Sequence, residues 1–350
     1  MRAVFLRRHG PPDVLRVTEA PDPTPGPGQI VVGVGAVGLN YAEVLSRKGL
    51  YGWAPPLPYV LGMEAAGSIE AVGEGVDRAV GEPVIVGLQH GAYAERILVR
   101  DHQALPALPG FSVEENAAFG VNWLTAWVGL MEMGRLRPSD RVLVSPAGGG
   151  VGTAAVQIAS RFGCEVVAMA GSDSKLERVA KLGASAGVNY REHGWEERLE
   201  GLGTFDVALE MVGGEVFRAA CAALAPFGRV VVAGYAGLDY RRWRPWTWWP
   251  AWRGMPRMSL TDMLMGSRGM LSTHLGYLLR DPERMRQVWS ALVAFSMEHN
   301  LRPVVGHVLP FESIADAHKL LESRNSYGKV VLQLDRGDRS PSNAGVQDHS

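Results

Sequence analysis

The stretch Ser139-Asp-Arg-Val-Leu-Val-Ser-Pro-Ala-Gly-Gly-Gly-Val-Gly152 restricts what this chain can fold into more than any other. Val142 to Val144 is a short apolar run, as in a strand buried on both faces. Pro146 ends it, and four glycines follow within the six residues from Ala147 to Gly152. From Thr153 to Phe162 the pattern predicts a helix with a small-residue face. Strand, glycine turn and helix make a cradle for a dinucleotide pyrophosphate. The glycines let the backbone approach the phosphates, and the N–H groups of the helix N-terminus face the anion. Gly149, Gly150, Val151 and Gly152 are the candidate contacts. Ala147 stands at the first glycine position, so the flanking elements carry the assignment.

Those elements continue. Glu165 to Ala170 reads as a second strand, closing a βαβ unit. Roughly twenty residues past the glycines, an acid would bind the ribose 2′-hydroxyl of NADH. Ala170, Gly171 and Ser172 stand there, with Lys175 just beyond. A hydroxyl and a cation suit a 2′-phosphate, which points to NADPH. Asp173 is the competing feature, because a two-residue shift would supply the acid.

A chain of 350 residues has room for two domains, and 47% hydrophobic with 20% charged residues describes a globular enzyme. A formal net charge of −1 leaves no basic excess to neutralise nucleic-acid phosphates. Cys164 and Cys221 are the sole cysteines, which is no disulfide framework and fits a reducing cytoplasm. No apolar run near the N-terminus suits a signal peptide, and none approaches the ~20 residues of a membrane-spanning helix.

Residues 1–118 read as β-rich, with strands expected at 3–6, 29–37, 67–72, 83–86 and 92–99 between Pro/Gly turns. Helical patterning covers 113–133. Strands and helices then alternate through 119–275, the mark of a parallel sheet. Helices at 282–298 and 313–321 and a strand at 329–334 follow, and the polar tail 336–350 is expected to be disordered. Trp243 to Trp252 holds five of the ten tryptophans, interleaved with arginine and proline. Three readings stay open for it: a membrane-surface contact, a lid over an apolar pocket, or a packed excursion or dimer contact.

Together these residues resemble the medium-chain dehydrogenase/reductase superfamily, and within it the zinc-free quinone oxidoreductases similar to zeta-crystallin. The resemblance rests on Asp140-x-x-Leu143-x-x-x-Ala147-Gly-Gly-Gly-Val-Gly152 with Gln157 and Ser160. Val188-Asn-Tyr-Arg191, Leu209-Glu-Met-Val-Gly-Gly214, Gly228-Arg-Val-Val-Val232 and Gly328-Lys-Val-Val-Leu332 add to it. His274-Leu-Gly-Tyr277 and the insert before it resemble the branch containing vesicle amine transport protein. The resemblance implies an α/β fold: a GroES-like β-barrel catalytic domain (1–118), a Rossmann doubly wound cofactor domain (119–275), and a return to the first domain (276–335). It also implies a cytoplasmic homodimer with its active site between the domains.

By the same resemblance, Asn122 and Thr125 contact the nicotinamide ribose, Tyr190 lies near the adenosine phosphate, and Asn325 is a further cofactor contact. Asn40 and Tyr51 are the candidate catalytic residues, with Glu43 beside them. Asn40 and Met63 stand where zinc-dependent relatives carry metal ligands, and no cysteine precedes Cys164. Asn and Met cannot replace thiolate and imidazole in a tetrahedral zinc site, so no metal is expected. Glu64 is expected to be structural, and His274 is a residue that could line the cleft. The expected activity is NADPH-dependent hydride transfer to a small apolar quinone or other α,β-unsaturated carbonyl. An enoyl-thioester reductase and a membrane-associated NADPH-binding protein with little catalysis are the alternatives.

Overall fold

The structure, a computed structural model, describes residues 1–236 and 248–335. The polar tail and the first part of the Trp-rich stretch, including Trp243 and Trp246, lie outside the described residues.

The first half is built on strands β1 (Arg2–Leu6), β2 (Val17–Glu19) and β3 (Gln29–Gly38), helix α1 (Tyr41–Lys48), and strands β4 (Tyr59–Val60), β5 (Glu64–Val72), β6 (Pro83–Gly87), β7 (Arg96–Arg100) and β8 (Ala104–Pro106). The β-branched run Ile30-Val-Val-Gly-Val34 makes β3 the centre of this half, paired antiparallel with both β5 and β7. At Gly67 on β5, a Cβ would lie 2.0 Å from the Gly33 carbonyl oxygen, so only glycine allows that close crossing. Asn40 opens α1, where its backbone N–H donates to the Glu43 carboxylate at 2.8 Å, and Gly49 in the left-handed region (φ 73°) closes it.

Helix α2 (Val113–Trp127) leads into the second half. There β9 (Arg141–Ser145), α3 (Gly150–Arg161), β10 (Glu165–Ala170), α4 (Asp173–Ala180), β11 (Ala186–Asn189), α5 (Trp195–Gly201), β12 (Phe205–Glu210), α6 (Gly214–Ala222) and β13 (Leu224–Val232) alternate. Two short helices, α7 (Trp248–Arg253) and α8 (Leu260–Gly266), then precede β14 (Gly269–Ser272). The six strands form one parallel sheet in the order β11-β10-β9-β12-β13-β14. Val142 and Val144 enter the core on one face and Leu143 the core on the other, so β9 is buried on both sides.

Helix α9 (Pro282–Glu298) follows, then β15 (Val305–Pro310), α10 (Ile314–Ser323) and β16 (Lys329–Gln333). The chain's last strands return to the first half, extending its seven-stranded sheet as β15-β16-β3. Helix α9 instead packs Met285, Trp289 and Leu292 into the core shared by α2 and α3. Each such side chain contributes on the order of 1.5–3 kcal/mol through burial.

Candidate active site

The parallel sheet reverses its strand order between β10-β9 and β9-β12, and crevices for ligands form at the carboxyl ends of strands at such a point. The glycine turn lies there. A Cβ on Gly152 would sit 2.1 Å from the Pro146 carbonyl oxygen, and one on Gly150 would sit 2.0 Å from Asn122 Nδ2. Gly149 caps α3 with open space over it, leaving room for a phosphate. Gly328 donates its N–H to the Gly148 carbonyl at 2.9 Å, so the turn is tied to the approach to β16.

A cleft of about 430 Å³ opens beside this turn, and Asn40, Tyr51, Asn122, Thr125 and Val151 all line it. Thr125 Oγ1 donates to the Val121 carbonyl at 2.7 Å, which fixes its rotamer against its own helix. Ile85, Leu124, Leu278, Met285 and Trp289 contribute an apolar wall. The Tyr51 hydroxyl lies 3.1 Å from His274 Nε2 and 3.3 Å from Gln89 Oε1. Burial, aided by the nearby Glu43 charge, pushes this phenol up to about 12, so it stays protonated at neutral pH. His274 stacks on Trp53 with ring centroids 4.4 Å apart, and burial holds its pKa below the ordinary imidazole value.

Asn40 is engaged at both ends of its amide. Nδ2 donates to Glu64 Oε1 at 2.8 Å, and Oδ1 accepts from Lys329 Nζ at 2.8 Å. Lys329 also pairs with Glu64, whose other oxygen accepts the Val121 N–H at 2.7 Å. Both ends of the Asn40 amide are thus held in a buried network along the cleft wall. Glu43 is likewise spoken for, accepting from Asn40 N–H, Met63 N–H at 2.7 Å and the Tyr93 hydroxyl at 2.5 Å. These residues do not fit zinc: an ammonium already holds the Asn40 oxygen, and like charge repels a second cation. Among the described residues, no group of three or more His, Cys, Asp or Glu side chains is placed to hold a metal ion.

A second cavity of about 270 Å³ lies behind the glycine turn, lined by Ser172, Lys175, Arg178, Arg191, Arg324 and Asn325 among others. Four cationic side chains share it. Lys175 runs along Gly148, where an added Cβ would meet its Cδ at 3.0 Å, and its Nζ donates to the Arg324 carbonyl at 2.7 Å. Burial and the neighbouring Arg191 lower its pKa. Ser172 is the N-cap residue of α4, with Oγ 3.2 Å from Ser174 Oγ. Asp173 does not line the cavity, and its Oδ1 accepts from Asn189 Nδ2 at 3.2 Å at the end of β11. Tyr190 lines neither cavity; it packs on the core beneath β11, and burial raises its phenol.

Residues 150–293 match the zinc-binding dehydrogenase family and residues 26–110 the alcohol dehydrogenase GroES-like domain family. Over 342 residues the chain is 34% identical to the synaptic vesicle membrane protein VAT-1 homolog of Mus musculus, covering 95% of this chain and 83% of that protein. The chain belongs to the medium-chain dehydrogenase/reductase superfamily. It is an oxidoreductase of the quinone oxidoreductase-like, VAT-1 branch, and it has the α/β fold expected of it, a GroES-like part joined to a Rossmann sheet. The quinone oxidoreductase of Thermus thermophilus, solved also as its complex with NADPH, is similar at 33% identity and TM-score 0.79, covering 95% of this chain and 100% of that one. An NAD-dependent alcohol dehydrogenase is similar at 33% identity and TM-score 0.81, covering 96% and 100%.

Lys329, Gln89, Arg178, Arg191 and Arg324 were not among the sequence candidates. Lys329 had one signal, a lysine opening an otherwise apolar strand. The arginines come from α4, the end of β11 and the end of α10, and nothing in their local sequence says that they converge.

Proposed function

We propose that the chain is a zinc-independent, NADPH-dependent reductase of quinones or other α,β-unsaturated carbonyls. The observation that carries this reading is the neutral Tyr51 hydroxyl on the wall of an apolar cleft that opens beside the glycine turn. NADPH over NADH is supported by the four cationic side chains of the second cavity and by Asp173 turning out of it. When bound there, NADPH supplies the hydride. The chain's own part is to hold phosphates on Gly149 and α3, to seat the ribose near Asn122 and Thr125, and to exclude water with the apolar wall. Tyr51 then donates its proton to the substrate oxygen as negative charge develops there. We place this chemistry in a cytoplasmic homodimer, a setting supported by two unpaired cysteines and by edge strand β14, which among the described residues pairs with β13 alone.

The test is NADPH oxidation by the purified protein with simple quinones, enones and enoyl thioesters after exhaustive chelation. Turnover of quinones or enones that survives chelation is the expected result. No oxidation with any acceptor, or activity that chelation abolishes and zinc restores, would overturn the proposal. A preference for enoyl thioesters would move the assignment to that substrate class.

A further inference from the structure

Resting on that reading of the reaction, we propose that His274 is a positioning residue acting through Tyr51: it holds the phenol oxygen so that the phenolic proton is left for the substrate. The neutral imidazole carries one proton, and the structure assigns which nitrogen holds it. Gly276 N–H, a donor fixed in the turn after β14, lies 3.1 Å from His274 Nδ1. Nδ1 must offer its lone pair to that donor, so the ring proton sits on Nε2. Nε2 lies 3.1 Å from Tyr51 Oη, and its N–H therefore donates to the phenol oxygen.

Tyr51 keeps its own proton for another acceptor. In this structure that acceptor is Gln89 Oε1 at 3.3 Å, well beyond the ~2.7–2.8 Å of a good O–H···O bond. So weak a partner is readily exchanged for a substrate oxygen in the cleft. Once the phenol gives up its proton, the phenolate still receives the Nε2–H, and a hydrogen bond to an ion is stronger than the neutral one it replaces. His274 is not a relay, because Gly276 N–H closes Nδ1 to a second proton. The ring is held by its stack on Trp53, which in turn lies under the Arg280 guanidinium, 4.6 Å from the indole centroid. Gly276 must lack a side chain for the same reason: a Cβ there would meet the His274 ring at 2.8 Å and Gln89 Nε2 at 2.7 Å. Tyr51 and His274 are 223 residues apart, so the pair exists only where the two halves face each other across the cleft.

The first arm of the test needs no substrate. Nitrogen-15 NMR of the imidazoles, with His274 assigned by its loss in His274→Gln, should show the Nε2–H tautomer; an Nδ1–H tautomer overturns the proposal. The second arm is kinetic. His274→Phe keeps a flat ring against Trp53 and removes the donor, and should lower kcat by about 10–100-fold with the NADPH KM unchanged, one step removed from the loss of a direct oxyanion donor. His274→Gln, which can still donate, should recover much of this. In a Tyr51→Phe background, His274→Phe should change kcat by less than about 2-fold, since the two act as one unit. An equal loss in both backgrounds overturns the proposal. If His274→Phe does not fold, His274→Ala takes its place in the cycle. A wild-type protein that reduces none of the acceptors refutes the reaction assigned above, and the NMR arm still decides the tautomer.

Discussion

Glu43 shows how one residue can look catalytic in the sequence and be structural in the fold. It is fully buried, it closes the first turn of α1, and burial pushes its carboxyl up to about 7 against three donated hydrogen bonds. A carboxyl raised in the folded state contributes stability that is present below its ordinary value of 4.5 and is lost as pH rises through about 7. The thermal-stability advantage of the native protein over Glu43→Gln should therefore shrink as pH rises across that window. An advantage that grows instead would mean the three donors outweigh burial. Tyr51 carries the opposite expectation. Tyr51→Phe keeps the ring, and turnover should fall by about 10–1000-fold while NADPH affinity holds, as for the loss of one oxyanion donor. Unchanged turnover on every acceptor would make Tyr51 a packing residue. The sequence brought Asn40, Glu43 and Tyr51 to attention together, but their partners Lys329, Tyr93 and His274 are distant in the chain, and only the fold separates the roles.

At the scale of elements, β9, the glycine turn and α3 were legible because each has a local cause: an apolar run, a proline, then glycines. Helix 282–298 was likewise placed with the bounds observed. Helix α1 was missed, because Asn40 and Glu43 were weighed as chemistry when their spacing is also that of a helix start. Strand β15 was missed because Gly306 and His307 break its apolar period; that glycine is needed where β15 crosses the Tyr327 carbonyl, 1.6 Å from an added Cβ. Lys329 on β16 pairs with Glu64 on β5 across β3, with the lysine side chain 2% exposed and the glutamate fully buried. Lys329→Met should destabilise the protein by about 3–5 kcal/mol, because it strands a buried carboxylate. Denaturant unfolding checks this, and a loss under about 1 kcal/mol, the range of an exposed pair, would contradict it.

Across the whole molecule, one cavity is apolar with a phenol and reaches the glycine turn at Val151, and the other is lined by four cations, of which Lys175 runs along Gly148. Neither was visible as a unit in the sequence, although Lys175, Ser172 and Asn325 of the second were found from the neutral turn and by resemblance. Lys175→Ala should weaken NADPH by roughly 1.5–3 kcal/mol, the worth of a charge-assisted contact, and leave NADH nearly unchanged. Equal losses for both cofactors in a fluorescence titration would contradict a 2′-phosphate site there. The division of labour between the cavities leads to one direct measurement: reduction of an enone with NADPH carrying deuterium at the transferring C4 position, with the product read by mass spectrometry. A single deuterium on the carbon β to the carbonyl is the predicted result, and an unlabelled product, or label delivered equally well by a protein lacking the Tyr51 hydroxyl, would contradict the account.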